Sequence, residues 1–283
     1  NTTDANRAIV ELGEQLYQGD LRLNDNDVDD YGRPARNWTY DGQDIGTYAK
    51  RELMVASYTD GVTGREVYNL LGTSTIRDND LLTYEDGAEN VDIEKNDLVR
   101  SNEDNLAGTG RGVLTEIYLD DDHDEVTIAS INTYLAKATS DYNANSETVS
   151  LEVYYGENRS ATKRVDVEDV PAVADLQQDD FVLINWASDD NTVTSKTVTD
   201  IFDVEIMTDV EVTRFGKDVD DDAAHNGVTN DRVTELTTGG TEYENNDNAW
   251  YEYETLGDFD GNLLTDKTYN IYLDQYGYFI GAE

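Results

Sequence analysis

Apolar residues near the start of the chain recur with the period of a helix. Within residues 3–17 the spacings are three and four: Ala5, Ile9, Leu12 and Leu16. This pattern predicts a short N-terminal helix over 3–17, because such positions lie on one helix face. The polar run 24–30 then predicts a loop. The stretch REVYNLL predicts a second short helix over 65–71, with Gly72 as its C-cap.

The periodicity changes to two beyond about residue 75. Alternating or β-branched and aromatic runs predict strands over 113–119, 125–135, 148–155, 180–187, 195–207, 209–215 and 268–281. Turn-forming stretches such as DDDHD, SDYNANS and SDDN separate these runs. Short strands at such spacing are typical of barrels and sandwiches. The chain is therefore predicted to be mainly β, with a short N-terminal helix followed by tandem small β-barrel or sandwich units.

We expect three units along the chain. Residues 1–105 would contain the N-terminal helix and a compact segment of mixed α and β or of β structure. Residues 106–175 would form a β-barrel or sandwich unit, and residues 176–283 a β unit that ends in a hairpin.

Two segments share the letters IYLD followed by a polar turn and an apolar alternating run. They are EIYLDDDHDEVTIA (116–129) and NIYLDQYGYFIGA (270–282). Both predict a β-hairpin whose first strand ends in Asp. The two segments are either copies of a shared module or unrelated hairpins that have converged on the same sequence pattern. Alternation would send Tyr269, Ile271 and Leu273 to one face and Tyr272 to the other, so some of these rings would cover a core.

The charge of the chain narrows the classes of partner. With 62 acidic and 20 basic residues the formal net charge is −42. Such a field repels nucleic acid and anionic membranes, so neither is expected as a partner. No window approaches the roughly 18 apolar residues of a membrane span, so no membrane insertion is expected. The absence of Cys removes disulfides and thiolate chemistry. The acidity is typical of a hydrated extracellular or salt-adapted surface, or of a protein that binds divalent cations.

Two acidic turns are candidates for calcium, the one cofactor that the sequence leaves open. Calcium favours several oxygen ligands, which would come from these residues: Asp120, Asp122, Asp124, Asp258 and Asp260. Neither turn has the glycine and glutamate spacing of an EF-hand loop. The competing interpretation is a solvated turn between strands, in which Asp, Asn and Gly supply only turn geometry.

No catalytic constellation is evident, and we do not expect an enzyme. The chain has two histidines, His123 and His225, both in Asp-rich turns where an oriented, partly buried triad histidine is not expected. No G-x-S-x-G or P-loop pattern occurs. The glycine-rich stretch 108–112 leads into a predicted strand, which argues against phosphate binding. Pairs of carboxylates suited to glycosidase chemistry cannot be singled out among 62 acidic residues.

Three stretches resemble a family of bacterial surface proteins. They are DDYGRPARNWTY (29–40) with DIGTY (44–48), DDFVLI (179–184) and TYNIYLDQYGY (268–278). In this order they resemble the region that follows the wall-anchoring modules in S-layer-homology (SLH) domain-containing surface proteins of Clostridia-type Firmicutes. The segments between them resemble the family only in their general character and not in specific motifs. The anchoring modules themselves are absent from this chain.

The resemblance implies a structural component of the cell surface, in an S-layer or otherwise associated with the envelope. The expected location is extracellular, at the cell wall, reached through SLH modules upstream of Asn1. The expected partners are further copies of the chain, in homotypic contacts of a self-assembling surface. The family offers no active site to carry over.

Two other classes remain open. An adhesin-like or glycan-binding β-domain would need an exposed aromatic patch, for which Tyr276, Tyr278 and Trp250 are the candidates. A carbohydrate-active enzyme would need two facing carboxylates in a cleft.

Overall fold

The computed structural model describes residues 21–99, 104–120, 124–155, 159–190, 192–218, 232–251 and 267–283. It is built mainly from β-strands and includes a closed barrel, which confirms the predicted class. In chain order the strands are β1 (Leu21–Val28), β2 (Pro34–Tyr40), β3 (Gln43–Ala49), β4 (Met54–Asp60), β5 (Asp80–Glu85), β6 (Ala88–Glu89), β7 (Arg111–Leu119), β8 (Glu125–Ile131), β9 (Tyr134–Ala138), β10 (Thr148–Tyr154), β11 (Ser160–Asp166), β12 (Phe181–Ala187), β13 (Thr197–Asp203), β14 (Glu205–Asp218), β15 (Arg232–Thr238), β16 (Thr241–Tyr251), β17 (Lys267–Leu273) and β18 (Phe279–Ala282). The helix predicted over 3–17 lies outside the described residues.

Short helices lie between strands of the first half of the chain. They are α1 (Gly64–Leu71), α2 (Thr73–Asp78) and α3 (Lys95–Val99), and 3-10 turns occur at Arg51–Leu53 and Pro171–Asp175. α1 confirms the helix predicted over 65–71. It begins with a capping box, in which Thr63 and Glu66 each accept the other's backbone N–H, and Gly72 follows its last residue. The cap satisfies N–H groups that the first helical turn leaves without partners.

The strands form three open sheets and one barrel. The first sheet, β1-β2-β3, is an antiparallel meander; the second has the order β4-β7-β8-β5-β6, with β5 and β8 parallel. The third sheet, β11-β10-β9-β12-β13, is antiparallel throughout. The barrel closes in the order β14-β15-β16-β18-β17, with β16 and β18 parallel.

Each of the larger sheets has its own apolar core, and further cores lie where the sheets meet. The three helices cover the second sheet, Trp186 is buried in the core of the third sheet, and Tyr269, Ile271 and Leu273 point into the barrel. Tyr272 points outward from the barrel and packs with residues of the third sheet. The predicted alternation of faces in β17 is therefore confirmed.

Several predicted boundaries differ from the structure. The loop expected over 24–30 is wrong for 24–28, because β1 continues through Val28, with a register shift in its pairing with β2 between Asn24 and Asp27; residues 29–30 do lie in the turn that follows. The strand expected over 125–135 is interrupted at Asn132, where the chain passes from the second sheet to the third. The predicted divisions after residues 105 and 175 each fall between strands of one sheet, so the sheets and those units do not coincide.

A five-residue turn of sequence Asp-x-Tyr-Gly-x occurs twice, in DDYGR (29–33) and DQYGY (274–278). In both copies the Asp Oδ1 accepts the backbone N–H groups two and four residues later, at 2.8–3.0 Å. In both, the Gly donates its N–H to the Asp carbonyl oxygen and has a positive φ, +77° at Gly32 and +91° at Gly277. The two copies are therefore the same turn, used at the β1–β2 and β17–β18 connections.

We predict that Gly32→Ala destabilises the fold more than Gly277→Ala. Both changes place a Cβ on a left-handed residue, at a cost of about 1–2 kcal/mol. At Gly32 the added Cβ would also overlap the ring of Tyr84 in β5, whereas at Gly277 no atom lies within 4 Å. Overpacking at Gly32 should add about 1–3 kcal/mol. Urea unfolding of the two variants and of the unaltered chain measures the difference, and equal losses would contradict the docking of this turn on Tyr84.

Candidate functional site

The turn between β5 and β6 brings a carboxylate into the interior. Asp86 and Gly87 have φ values of +49° and +86°, which is the pattern of a two-residue hairpin turn with both central residues left-handed. The Asp86 N–H donates to the Ser130 carbonyl of β8, and the Asp86 carbonyl accepts the N–H of Ser188 after β12. The tip of this hairpin is thereby fixed between the second and third sheets, and Asp86 is completely buried.

Four donors surround the Asp86 carboxylate. Its Oδ1 accepts the Asn132 backbone N–H at 2.9 Å and the Asn132 Nδ2 at 3.2 Å. Its Oδ2 accepts Tyr134 Oη and Lys196 Nζ, both at 2.8 Å. A buried carboxylate is tolerated only when it is paired and hydrogen-bonded, and this one is both. We call Asp86, Asn132, Tyr134 and Lys196 the polar junction.

The ammonium group of Lys196 faces Asp86 on one side and Trp186 of the third sheet on the other. Lys196 is 6% exposed, and its Nζ lies 5.4 Å from the centre of the Trp186 ring. Tyr134 packs on the same ring at 4.9 Å, and Lys163 Nζ lies 5.6 Å from it. Burial and the charge of Lys196 lower the pKa of Lys163. An aromatic face therefore replaces part of the water that an ammonium group would otherwise bind.

A second carboxyl group lies next to the polar junction. Asn132 Nδ2 is 3.4 Å from Glu85 Oε1, so one amide contacts both acidic side chains. Burial, followed by the charge of Asp86, raises the pKa of Glu85, while Lys196 opposes the shift. The same asparagine accepts Asn248 Nδ2 of the barrel strand β16 at 2.8 Å. The second sheet, the third sheet and the barrel thus meet at Asn132.

The first copy of the Asp-x-Tyr-Gly-x turn is held by buried charges too. Arg33 bridges Asp29 at 2.7 Å and the buried carboxylate of Glu116 at 3.1 Å, and Arg51 also pairs with Glu116. Tyr118 Oη donates to Glu116 at 2.8 Å. The Tyr31 hydroxyl reaches the third sheet, where it contacts Thr199 and donates to Asp200 at 3.0 Å. This turn therefore connects the first sheet to both of its larger neighbours.

The second copy joins the barrel to the second sheet. Asp274 Oδ2 accepts Asn246 Nδ2 of β16 at 2.7 Å, and both residues are buried. Gly112 of β7 has φ +76°, and a Cβ there would overlap Asn246. The glycine-rich stretch 108–112 thus leads into a strand, as predicted, and lets the barrel approach the second sheet closely. Burial raises the pKa of Asp274, opposed by the hydrogen bonds it accepts.

The predicted calcium ligands are only partly described. Asp120 Oδ1 accepts the N–H groups of Asp124 and Glu125 at 2.8 and 3.2 Å, and so closes the β7–β8 hairpin. Both predicted IYLD hairpins are present, each ending its first strand in an Asp that accepts backbone N–H groups. Asp122, Asp258 and Asp260, like His123 and His225, lie outside the described residues. Within the described ranges no group of three or more His, Cys, Asp or Glu side chains is placed to hold a metal.

An acidic cavity of about 390 Å³ opens beside the first turn. Its lining comes from the β1–β2 turn and the β12–β13 connection: Asp30, Ala187, Ser188, Asp189, Asp190, Ser195, Thr197 and Thr199. Burial, and then the charges of Asp29, Asp200 and Asp189, raise the pKa of Asp30. At the rim Asp190 accepts Thr192 N–H at 3.0 Å and Thr192 Oγ1 at 2.9 Å, which closes a local turn.

The aromatic candidates for glycan binding differ in exposure. Trp250 is buried and stacks on Tyr154 of the third sheet, with ring centres 4.0 Å apart and planes at 22°. Tyr276 and Tyr278 are half-buried. Trp250 and Tyr272 thus pack against the third sheet of the same chain.

Comparison with known proteins gives no match to a family model, to a curated protein or to a solved structure. Among the residues that the structure describes, no helix is long and apolar enough to cross a membrane.

The residues at the centre of the polar junction were not predicted as site residues. The signal in the sequence is the Asp86-Gly87 pair, a dipeptide typical of two-residue hairpins. Nothing near Lys196 indicates its role, because its partner is 110 residues away in the sequence.

We predict that mild acidification stabilises the fold. Asp30, Glu85, Glu125 and Asp274 all have pKa values raised above the ordinary 3.8 or 4.5, chiefly by burial. The folded state therefore binds protons at a higher pH than the unfolded state, and the free energy of unfolding rises as the pH falls through the folded-state values towards 4.5 and 3.8. Thermal unfolding followed by circular dichroism should show a higher midpoint at pH about 5 than at pH about 7.

High salt is the control for this pH effect. Relief of the net charge of −42 would also stabilise the fold on acidification, but salt screens that long-range repulsion and leaves the cost of burial in place. A gain that vanished entirely in high salt would mean that the buried carboxyl groups do not cause it.

Proposed function

We propose that this chain is a non-catalytic structural segment of a bacterial surface protein, of the S-layer or envelope-associated type, and that it self-associates. The observation that carries the proposal is the role of the motifs that resemble SLH-domain surface proteins. The two Asp-x-Tyr-Gly-x turns lie at joints between sheets: Arg33 of the first turn reaches Glu116 of β7, and Asp274 of the second, which is hydrogen-bonded to Asn246 within the barrel, lies against Gly112 of β7. These motif residues hold neighbouring sheets together, which is a structural role. Cell-wall attachment would come from SLH modules absent from this chain.

The first sheet offers a surface for homotypic contacts. Residues opposite each other on neighbouring strands share a face, and Leu23 lies opposite Trp38, Leu21 opposite Tyr40, and Arg36 opposite Tyr48. These side chains define the outer face: Leu21, Leu23, Arg36, Trp38, Tyr40 and Tyr48. Leu23 and Tyr48 are 43% and 39% exposed. The opposite face of β2 contains the buried residues Ala35 and Asn37.

A second copy of this chain is the occupant that we propose for the outer face. Residues 21–49, which contain the first sheet, hold three Arg and six Asp residues, a net charge of −3 over 29 residues, where the chain average of −42 over 283 residues would give about −4. The first sheet is therefore less acidic than an average stretch of its length, which lowers its repulsion of another copy. Aromatic residues and Arg are also the residue types enriched in protein interfaces. Arg36 pairs with Glu52 of the same chain at 2.7 Å, so the outer face offers a second copy mainly apolar and aromatic contacts.

We predict that Leu23→Asp weakens self-association by about tenfold or more. The substitution puts a charge on the outer face, where contact between copies would desolvate it. Sedimentation velocity over a concentration series measures the effect. Val91→Asp is the matched control, because Val91 is an apolar residue, 73% exposed, outside the first sheet, and should leave association unchanged.

The comparison is made with and without calcium. A chain that stays monomeric at high concentration in both conditions would contradict self-association. Equal effects of Leu23→Asp and Val91→Asp would place the contact elsewhere. In a parallel glycan array, binding that is lost on Tyr276→Ala and Tyr278→Ala would instead support the adhesin-like alternative and overturn the structural assignment.

A further inference from the structure

Lys196 and Asp86 are a buried amine and a buried carboxyl group in contact. Lys196 Nζ lies 2.8 Å from Asp86 Oδ2, and the two side chains are 7% and 0% exposed. The other groups facing the pair are Tyr134 Oη and Asn132 Nδ2, with Glu85 beyond the asparagine and Lys163 beyond Trp186. By contrast, the Lys137–Asp179 pair, at 3.1 Å, is partly exposed to solvent.

We infer that Lys196 and Asp86 form an intramolecular amide cross-link between the third and second sheets. A side-chain amine and a carboxyl group that are held together in a buried site meet the geometric requirement for acyl transfer, since both reactants are fixed at contact distance. The two side chains then react once with each other, and the resulting covalent bond links the second sheet to the third.

The reaction needs no reagent from outside. One proton passes from the Lys196 ammonium to Asp86 Oδ2 across their 2.8 Å contact, which gives a neutral amine and a neutral acid. Nζ then forms a bond to Asp86 Cγ. A second proton moves from Nζ to Oδ2, the Cγ–Oδ2 bond breaks, and Oδ2 leaves as water. The ammonium and carboxylate charges cancel, so atoms, protons and charge balance.

The polar junction suits each stage of this transfer. As Nζ adds to Cγ, negative charge grows on Oδ1, which the Asn132 backbone N–H and Nδ2 already contact at 2.9 and 3.2 Å. Two donors aimed at such an oxygen form an oxyanion hole. Tyr134 Oη donates to Oδ2, the oxygen that leaves. Trp186 covers the lysine and keeps solvent from the site, which protects the amide from hydrolysis.

The intact mass of the folded, full-length chain tests the inference directly. We expect a mass lower than that of the sequence by one water molecule, reached either at purification or on incubation until the mass stops changing. Proteolysis should then yield one branched peptide that joins the segments around Asp86 and Lys196, while Lys137 stays unlinked.

Two variants separate the cross-link from an ordinary ion pair. Lys196→Arg keeps the positive charge but has no nucleophilic amine, so its mass should equal its sequence mass. Asp86→Asn should lose one ammonia instead of water and arrive at the same final mass as the unaltered chain, because both give the same amide. A folded, unaltered chain whose mass stays at the full sequence value would overturn the inference. So would a loss of water that persists in Lys196→Arg.

Discussion

A buried carboxylate with every acceptor position occupied sets the arrangement of the sheets. Asp86 is completely buried, and its donors come from the link between β8 and β9, from the first residue of β9 and from the segment before β13. Until the inferred amide forms, breaking this buried ion pair by removing one partner costs about 3–5 kcal/mol, because the remaining charge has no compensation. The second and third sheets are therefore not free to shift against each other, first because a shift would separate the two charges and then because a covalent bond joins them.

The same use of aspartate recurs at smaller scale throughout the molecule. Asp29, Asp120 and Asp274 each end a strand and accept backbone N–H groups of the turn that follows. Asp29 and Asp274 then use their second oxygen to hold Arg33 and Asn246. In a chain with 62 acidic residues, some carboxylates thus serve as acceptors inside turns and joints rather than as solvated surface charge. These aspartates therefore stabilise turns and joints. Composition alone would have predicted that they keep the protein soluble or bind cations.

The sequence predicted those elements whose side chains alternate between a core and a surface. β7, β10, β12 and β17 bury one or both faces and show the pattern clearly, and α1 has both its cap residues. β1 was predicted as a loop because Asn and Asp are rare in strands, yet its backbone pairs with β2. The polar junction could not be predicted in the same way. Sheet topology brings together three residues that lie up to 110 positions apart in the sequence: Asp86, Asn132 and Lys196. A contact over such a distance leaves no periodic pattern in the sequence around any of them.

We expect the buried joints to make the sheets and the barrel one cooperative body. The three tryptophans report on different parts: Trp38 lies in the first sheet, Trp186 in the third and Trp250 in the barrel. Urea unfolding of three variants, each retaining one tryptophan with the other two replaced by Phe, is followed in each variant both by fluorescence and by far-UV circular dichroism, which reports on all the strands. We predict that the two transitions coincide within every variant, the mark of a two-state process. A fluorescence midpoint that differs from the circular dichroism midpoint of the same variant would contradict this, because it would mean that the joints do not couple the sheets.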